Sequence, residues 1–185
     1  MQHRLFTAIE LPDSVKDQLA PLLSGLPGAK WVKRPQLHLT LRFIGEVETP
    51  KFKAIGDTLR EVQAQAFEMR LQGVGRFPPK GASRVLWVGV DETPPLLALF
   101  QQIEGALAKL GYSPEDRPFS AHITLARFKE PPNRDDTDSY LNKHKLFQTE
   151  VIPVREFILF SSLLSPQGPS YKAERTYPLE SLSKS

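Results

Sequence analysis

The feature that most constrains this chain is a polar pattern set twice into apolar runs. It reads "LHLTL" at residues 37–41 and "AHITL" at residues 121–125. The chain has four histidines, and two of them stand in this pattern. Side chains alternate faces along a strand, so His38 and Thr40 point the same way, roughly 6.6 Å apart. Leu37, Leu39 and Leu41 point the other way, into a core. The same parity joins His122 to Thr124 and turns Ile123 and Leu125 away from them. Two strands are therefore required, each with an apolar face and a face carrying an imidazole and a hydroxyl. In each half a helix and a loop lead into this strand, which indicates a duplicated lobe.

The remaining chain fits around those two strands. "HRLFTAIEL" reads as a first strand. A helix follows from Asp13 to about Leu23, with Asp13 or Ser14 as its N-cap, and Gly25, Pro27 and Gly28 break it. "LHLTLRFIG" is a strand ended by Gly45. Thr49 as cap and Pro50 at the first helical position open a helix to about Ala66. "FEMRLQGVGRF" and "SRVLWVGV" read as two strands about a turn at Pro78–Gly81. Thr93 and Pro94 repeat the cap-plus-proline device, and that helix reaches Leu110 before Gly111. Then come "FSAHITLARF", a proline-rich acidic loop, a short helix near Ser139 to His144, and the strands "VREFILFSSLL" and "YKAERTYPL". Neither strand pair leaves room for a crossover helix, so the sheets are expected to be antiparallel with helices packed outside, an α+β fold. Residues 1–180 are expected to form a single domain of two lobes, with 181–185 a polar tail.

Composition excludes several classes. The absence of cysteine removes disulfides, thiolate metal sites and cysteine nucleophiles, and suits a reducing cytoplasm. No run of about 18 apolar residues is present, so no membrane-spanning helix is expected. The net charge of +3 is small, but the excess lies wholly within residues 1–92. Lys30, Lys33, Arg34 and Arg42 occupy one acid-free stretch together with Trp31 and Phe43. Cations interleaved with aromatics suit a ligand that carries both phosphate and base. A solvated loop with one core tryptophan is the competing reading of the same stretch.

Two imidazoles from separate lobes are suited to displacement at phosphorus. One neutral ring takes a proton from the attacking group and one protonated ring gives a proton to the leaving oxygen, each worth typically about 10²–10⁴-fold. The Thr40 and Thr124 hydroxyls can donate to non-bridging phosphate oxygens. Arg42 shares the parity of His38 and Thr40, so it is expected on the same ligand, with Phe43 and Trp31 as further substrate contacts. Neither motif has an acid within three residues, and no H-x-H or H-x-x-x-H occurs, so no metal is expected. His3 and His144 are read as surface residues.

"HLTLRFIGEV" and "HITLAR" resemble the paired H-x-T-x motifs of the 2H phosphoesterase superfamily. More narrowly, "RLFTAIELP", "RVLWVGV" and "FILFSSLLSPQGPSYKAERTYPL" resemble the RNA 2′,3′-cyclic phosphodiesterases, or 2′-5′ RNA ligase-like proteins. The resemblance implies a bilobal, pseudo-two-fold fold with both motifs in a central cleft. It implies cofactor-free hydrolysis of an RNA terminal 2′,3′-cyclic phosphate to a 2′-phosphate, with RNA 3′ ends or cyclic nucleotides as partners; separately, the protein is expected to be a monomer. It assigns His38 to protonating the departing 3′ oxygen and His122 to activating water, and it adds Arg127 to Thr40 and Thr124 as a phosphate contact. Simple alternation puts Arg127 on the Leu125 face, unless the strand bulges near Ala126. Ala121 stands where the family often has proline. The alternatives are joining or splitting of 2′-5′ linkages, hydrolysis of a small cyclic nucleotide, and non-catalytic binding of RNA ends.

Overall fold

The computed structural model describes residues 1–181; the last four residues of the expected polar tail lie outside the described residues. In chain order the strands are β1 (Gln2–Glu10), β2 (Ala29–Trp31), β3 (His38–Glu48), β4 (Phe67–Met69), β5 (Leu71–Phe77), β6 (Val85–Val90), β7 (His122–Phe128), β8 (Ile152–Val154), β9 (Glu156–Ser165) and β10 (Gly168–Pro178). The helices are α1 (Asp13–Leu19), α2 (Thr49–Thr58), α3 (Pro94–Ala108) and α4 (Arg134–His144).

Two four-stranded sheets result, ordered β10-β9-β1-β3 and β2-β7-β6-β5, and every pairing within them is antiparallel. β4 and β8 form a short antiparallel ribbon beside them. The lobes interleave in sequence. β9 and β10, at the end of the chain, complete the sheet begun by β1 and β3. β2, near the start, joins the sheet of β5, β6 and β7. The edge strand β3 lies against β7, so the two H-x-T strands meet at the junction of the sheets. No described helix is long and apolar enough to cross a membrane.

One apolar cluster runs through both sheets. It holds Leu5, Leu39 and Leu41 from the first sheet, Leu86, Ile123 and Leu125 from the second, and Leu96, Leu99 and Ile103 from α3. At about 25 cal/mol for each Å² of apolar surface removed from water, these leucines are what hold the motif strands in place.

Local signals set some boundaries and tertiary contacts set others. Neither Asp13 nor Ser14 caps α1; Pro12 is the cap residue, and the helix tightens to a 3-10 turn at Ala20–Leu22. α2 starts one residue earlier than read, with Glu48 as its cap residue, and ends at Thr58. Gly45 does not end β3. It takes φ +97° beside a register shift against β1, a conformation glycine adopts without a Cβ clash, and the strand continues to Glu48. The run "FEMRLQGVGRF" divides at Arg70 because its two parts pair with different partners. α4 begins five residues before Ser139: Asn133 caps it by accepting from the amides of Asp135 (2.8 Å) and Asp136 (3.2 Å). Two aspartates in that first turn favour the positive end of the helix dipole, which an acidic-loop reading overlooks.

Candidate active site

Residues paired across an antiparallel ladder share a face, so register tells which side chains accompany each histidine. Glu10 stands opposite His38, Ala8 opposite Thr40, and Phe6 opposite Phe43. Between Thr40 and Arg42 the register slips: β1 advances one residue, from Ala8 to Thr7, while β3 advances two. Leu41 is the extra residue. β7 carries the same device. Thr124 pairs with Trp87, and Ala126 pairs with Leu86, so Leu125 is extra there. A bulge at the motif leucine resets the alternation in both strands.

That reset decides three side chains. Arg127 pairs with Val85 and with Lys30, on the face of His122 and Thr124. Phe43 falls on the face of His38 and Thr40, 53% exposed, with its ring 5.6 Å from that of Phe6. Arg42, expected beside His38 by simple parity, turns to the opposite face with Thr7. There its Nε lies 2.7 Å from Glu104 of α3, its Nη1 lies 2.9 Å from Glu115, and its Nη2 donates to the Ser113 carbonyl at 2.6 Å. The expectation that Arg42 touches substrate is corrected: it clamps the segment leading into β7. Trp31 is corrected likewise. It pairs with Ala126 on the core side and packs 6.2 Å from the ring of Tyr140.

His38 sits in an aromatic nest. Its ring stacks on Phe6 at 5.1 Å, meets the edge of Tyr171 at 5.2 Å, and lies 6.3 Å from Phe160. Its Nε2 is 2.9 Å from Thr40 Oγ1. Burial among these rings holds the imidazole down to about 4; a hydrogen bond to the Gln36 backbone opposes this, and the charge of Lys16 adds to it. His122 meets the edge of Phe77 at 5.0 Å and lies 6.4 Å from Trp87. Its Nδ1 is 2.8 Å from the Ser120 carbonyl. A carbonyl only accepts, so Nδ1 carries the proton and Nε2 is left free for chemistry. Burial lowers this imidazole too, opposed by the Ser120 bond and helped by the charge of Arg127. Both rings are therefore neutral near pH 7 in the free protein.

The two environments share Arg127, whose charge bears on His122 and also on the Tyr171 phenol that touches His38. Two hydrogen bonds tie the approach to His38 to the β9–β10 hairpin: Lys33 Nζ donates to the Gln167 carbonyl at 3.0 Å, and Gln36 Nε2 donates to the Pro169 carbonyl. Ala121 donates its amide to Glu92 at 3.2 Å, a bond that proline there would not make. His3 packs on Phe52 and Thr49, and His144 packs on Tyr140, so neither joins the motif histidines. Sequence reading missed Phe6, Phe77, Trp87, Phe160 and Tyr171. Their alternation within strands was visible, but not which histidine each would reach.

Two antiparallel sheets that each deliver one H-x-T strand to a common junction define a 2H phosphoesterase. A sequence model described as LigT like Phosphoesterase matches the chain twice, over residues 9–87 and 88–171. An RNA 2′,3′-cyclic phosphodiesterase of Archaeoglobus fulgidus is 37% identical, covering 94% of this chain and 99% of its own. One from Thermotoga maritima is 34% identical, covering 91% of each. Among solved structures, a Thermus thermophilus protein superposes with TM-score 0.77 at 32% identity, covering 96% of this chain and 98% of its own. E. coli LigT complexed with 3′-AMP superposes with TM-score 0.76 at 28% identity, covering 97% and 99%. The chain belongs to the LigT-like phosphoesterase family.

Proposed function

We propose that this protein is an RNA 2′,3′-cyclic phosphodiesterase that opens the terminal ring without a metal and leaves a 2′-phosphate. What supports the reading is that β3 and β7, each carrying one His/Thr pair on a single face, lie against each other, and that the charge of Arg127 bears both on His122 and on the Tyr171 phenol packed against His38. Names of relatives along nearly the whole chain support the substrate class. Residues 1–180 act as one unit of two lobes, because neither motif suffices alone.

In this scheme Nε2 of His122 takes a proton from water as the water oxygen bonds to phosphorus. The bond from phosphorus to O3′ breaks, and His38 gives its proton to that oxygen. The product has a free 3′-hydroxyl and a 2′-phosphomonoester, and the two rings reset by exchanging protons with solvent. Thr40, Thr124 and Arg127 hold the non-bridging oxygens, where charge gathers. Phe43 offers an exposed π face to the base. His38 is neutral in the free protein, so its acid role requires the phosphate itself: an anion placed beside the ring favours the charged imidazolium. Substrate binding thereby arms the acid.

The test is a short RNA ending in a 2′,3′-cyclic phosphate, incubated with EDTA present and its product isomer identified. A 2′-phosphate formed at an undiminished rate is expected. No turnover, or loss of turnover on chelation, defeats the reading; a 3′-phosphate overturns the assignment of His38 to O3′.

A further inference from the structure

Arg127 has a neighbour that neither the motifs nor the scheme above uses. Lys30 of β2 pairs directly with it across the ladder, so the two side chains leave the same face of the second sheet. Both residues are exposed, and neither joins an ion pair among the described residues. On its other side Arg127 pairs with Val85, so no acid balances the pair within this row of the sheet. Like charges set directly opposite in a sheet are destabilising. An anion lying over the pair would relieve that repulsion.

Direction adds the rest. Along β7 the order is His122, Thr124 and, past the bulge, Arg127; Lys30 lies one strand further out, about 4.8 Å, on the edge strand of the sheet. The cations thus run outward from the reacting histidine to the rim. A cyclic mononucleotide has one phosphate and leaves the outer cation idle. An RNA whose 3′ end is closed by the ring continues only in the 5′ direction, and its next anion is the adjoining phosphodiester. We propose that Lys30 holds the phosphodiester joining the terminal nucleotide to the one before it, while Arg127 stays on the terminal phosphate, so that an RNA chain is preferred over a cyclic mononucleotide. This rests on the cyclic phosphodiesterase reading and names its substrate class more narrowly.

The experiment compares wild type with Lys30→Gln on 2′,3′-cyclic AMP and on a pentanucleotide ending in a 2′,3′-cyclic phosphate, across a salt series. Lys53→Gln, which removes one charge from α2, serves as the control. Lys30→Gln is expected to raise KM for the pentanucleotide about fivefold, the effect of one unit charge near contact in water, and to flatten its salt slope by about 0.7. KM for 2′,3′-cyclic AMP is expected to hold, and the control to shift neither. Equal effects on both substrates, or none on the pentanucleotide, overturn the subsite. Binding of a pentanucleotide that already ends in a 2′-phosphate, followed by anisotropy, separates the two readings. Affinity that depends on Lys30 without hydrolysis of either substrate rejects the enzyme and keeps the contact; affinity independent of Lys30 rejects the contact.

Discussion

The two H-x-T strands start from the same plan and end in different surroundings. Each has its histidine and threonine on one face, and each bulges at the motif leucine. Four residues after the histidine stands Arg42 in one strand and Ala126 in the other; the first is an inter-element clamp and the second is sealed in the core. Five residues after it stands Phe43 in one and Arg127 in the other, both on the histidine face. One lobe thus presents a ring where its counterpart presents a cation. The histidines differ in the same sense. His38 is enclosed by three aromatic side chains and bonded to its own threonine, whereas His122 meets only Phe77 and Trp87; both rings also bond the backbone two residues earlier, at Gln36 and Ser120. Duplication kept the chemical tools, and the neighbouring residues set each tool to its own task.

The sharpest way to break this comparison is to delete each histidine in turn. His38→Ala and His122→Ala should each lower kcat by about 10²–10⁴-fold, the usual worth of one proton-transfer group. A near-normal rate in either variant, measured on the cyclic-ended RNA, would mean that the strands do not share the chemistry. The clamp found only in the first strand gives the next effect. Arg42→Gln leaves Glu104, with its side chain only 14% exposed, without its charge partner. Breaking one side of a buried pair costs about 3–5 kcal/mol, while replacing both sides with apolar groups can be neutral. Urea unfolding should show that loss in Arg42→Gln and recover most of it in Arg42→Met combined with Glu104→Leu. Equal stability of Arg42→Gln and wild type would remove the clamp.

The smallest expected effect concerns acid. The folded His38 holds its proton less readily than the unfolded chain does, with its value pushed from the ordinary 6.5 to about 4. The unfolded state therefore binds more protons across that window, and stability falls as pH drops from 6.5 towards 4. At 1.36 kcal/mol per unit, the loss approaches about 3 kcal/mol at full effect, and it is constant above pH 6.5. His38→Gln should flatten this limb of a plot of stability against pH. An unchanged limb would show that the aromatic nest does not exclude water as drawn.

Much of the site was legible because strand parity is local. Nothing beyond residues 37–41 and 121–125 is needed to place His38 with Thr40, His122 with Thr124, and the leucines opposite. Cap signals around Thr93 and Gly111 likewise placed α3 to within two residues. Arg42, Arg127, Gly45 and Trp31 were not legible in the same way. A bulge is a mismatch between two strands, and its position follows from which residues of β1 and β6 stand opposite, information that lies far away in sequence.

The sequence by itself therefore determined the repeated strand, its apolar anchor and its imidazole and hydroxyl, since alternation has a period of two residues and depends on the chain alone. Only the tertiary structure decided which arginine reaches the histidine face, which rings enclose His38, and that β2 crosses to the second sheet. Those outcomes depend on register and on burial between segments distant in the chain, and both are properties of paired surfaces.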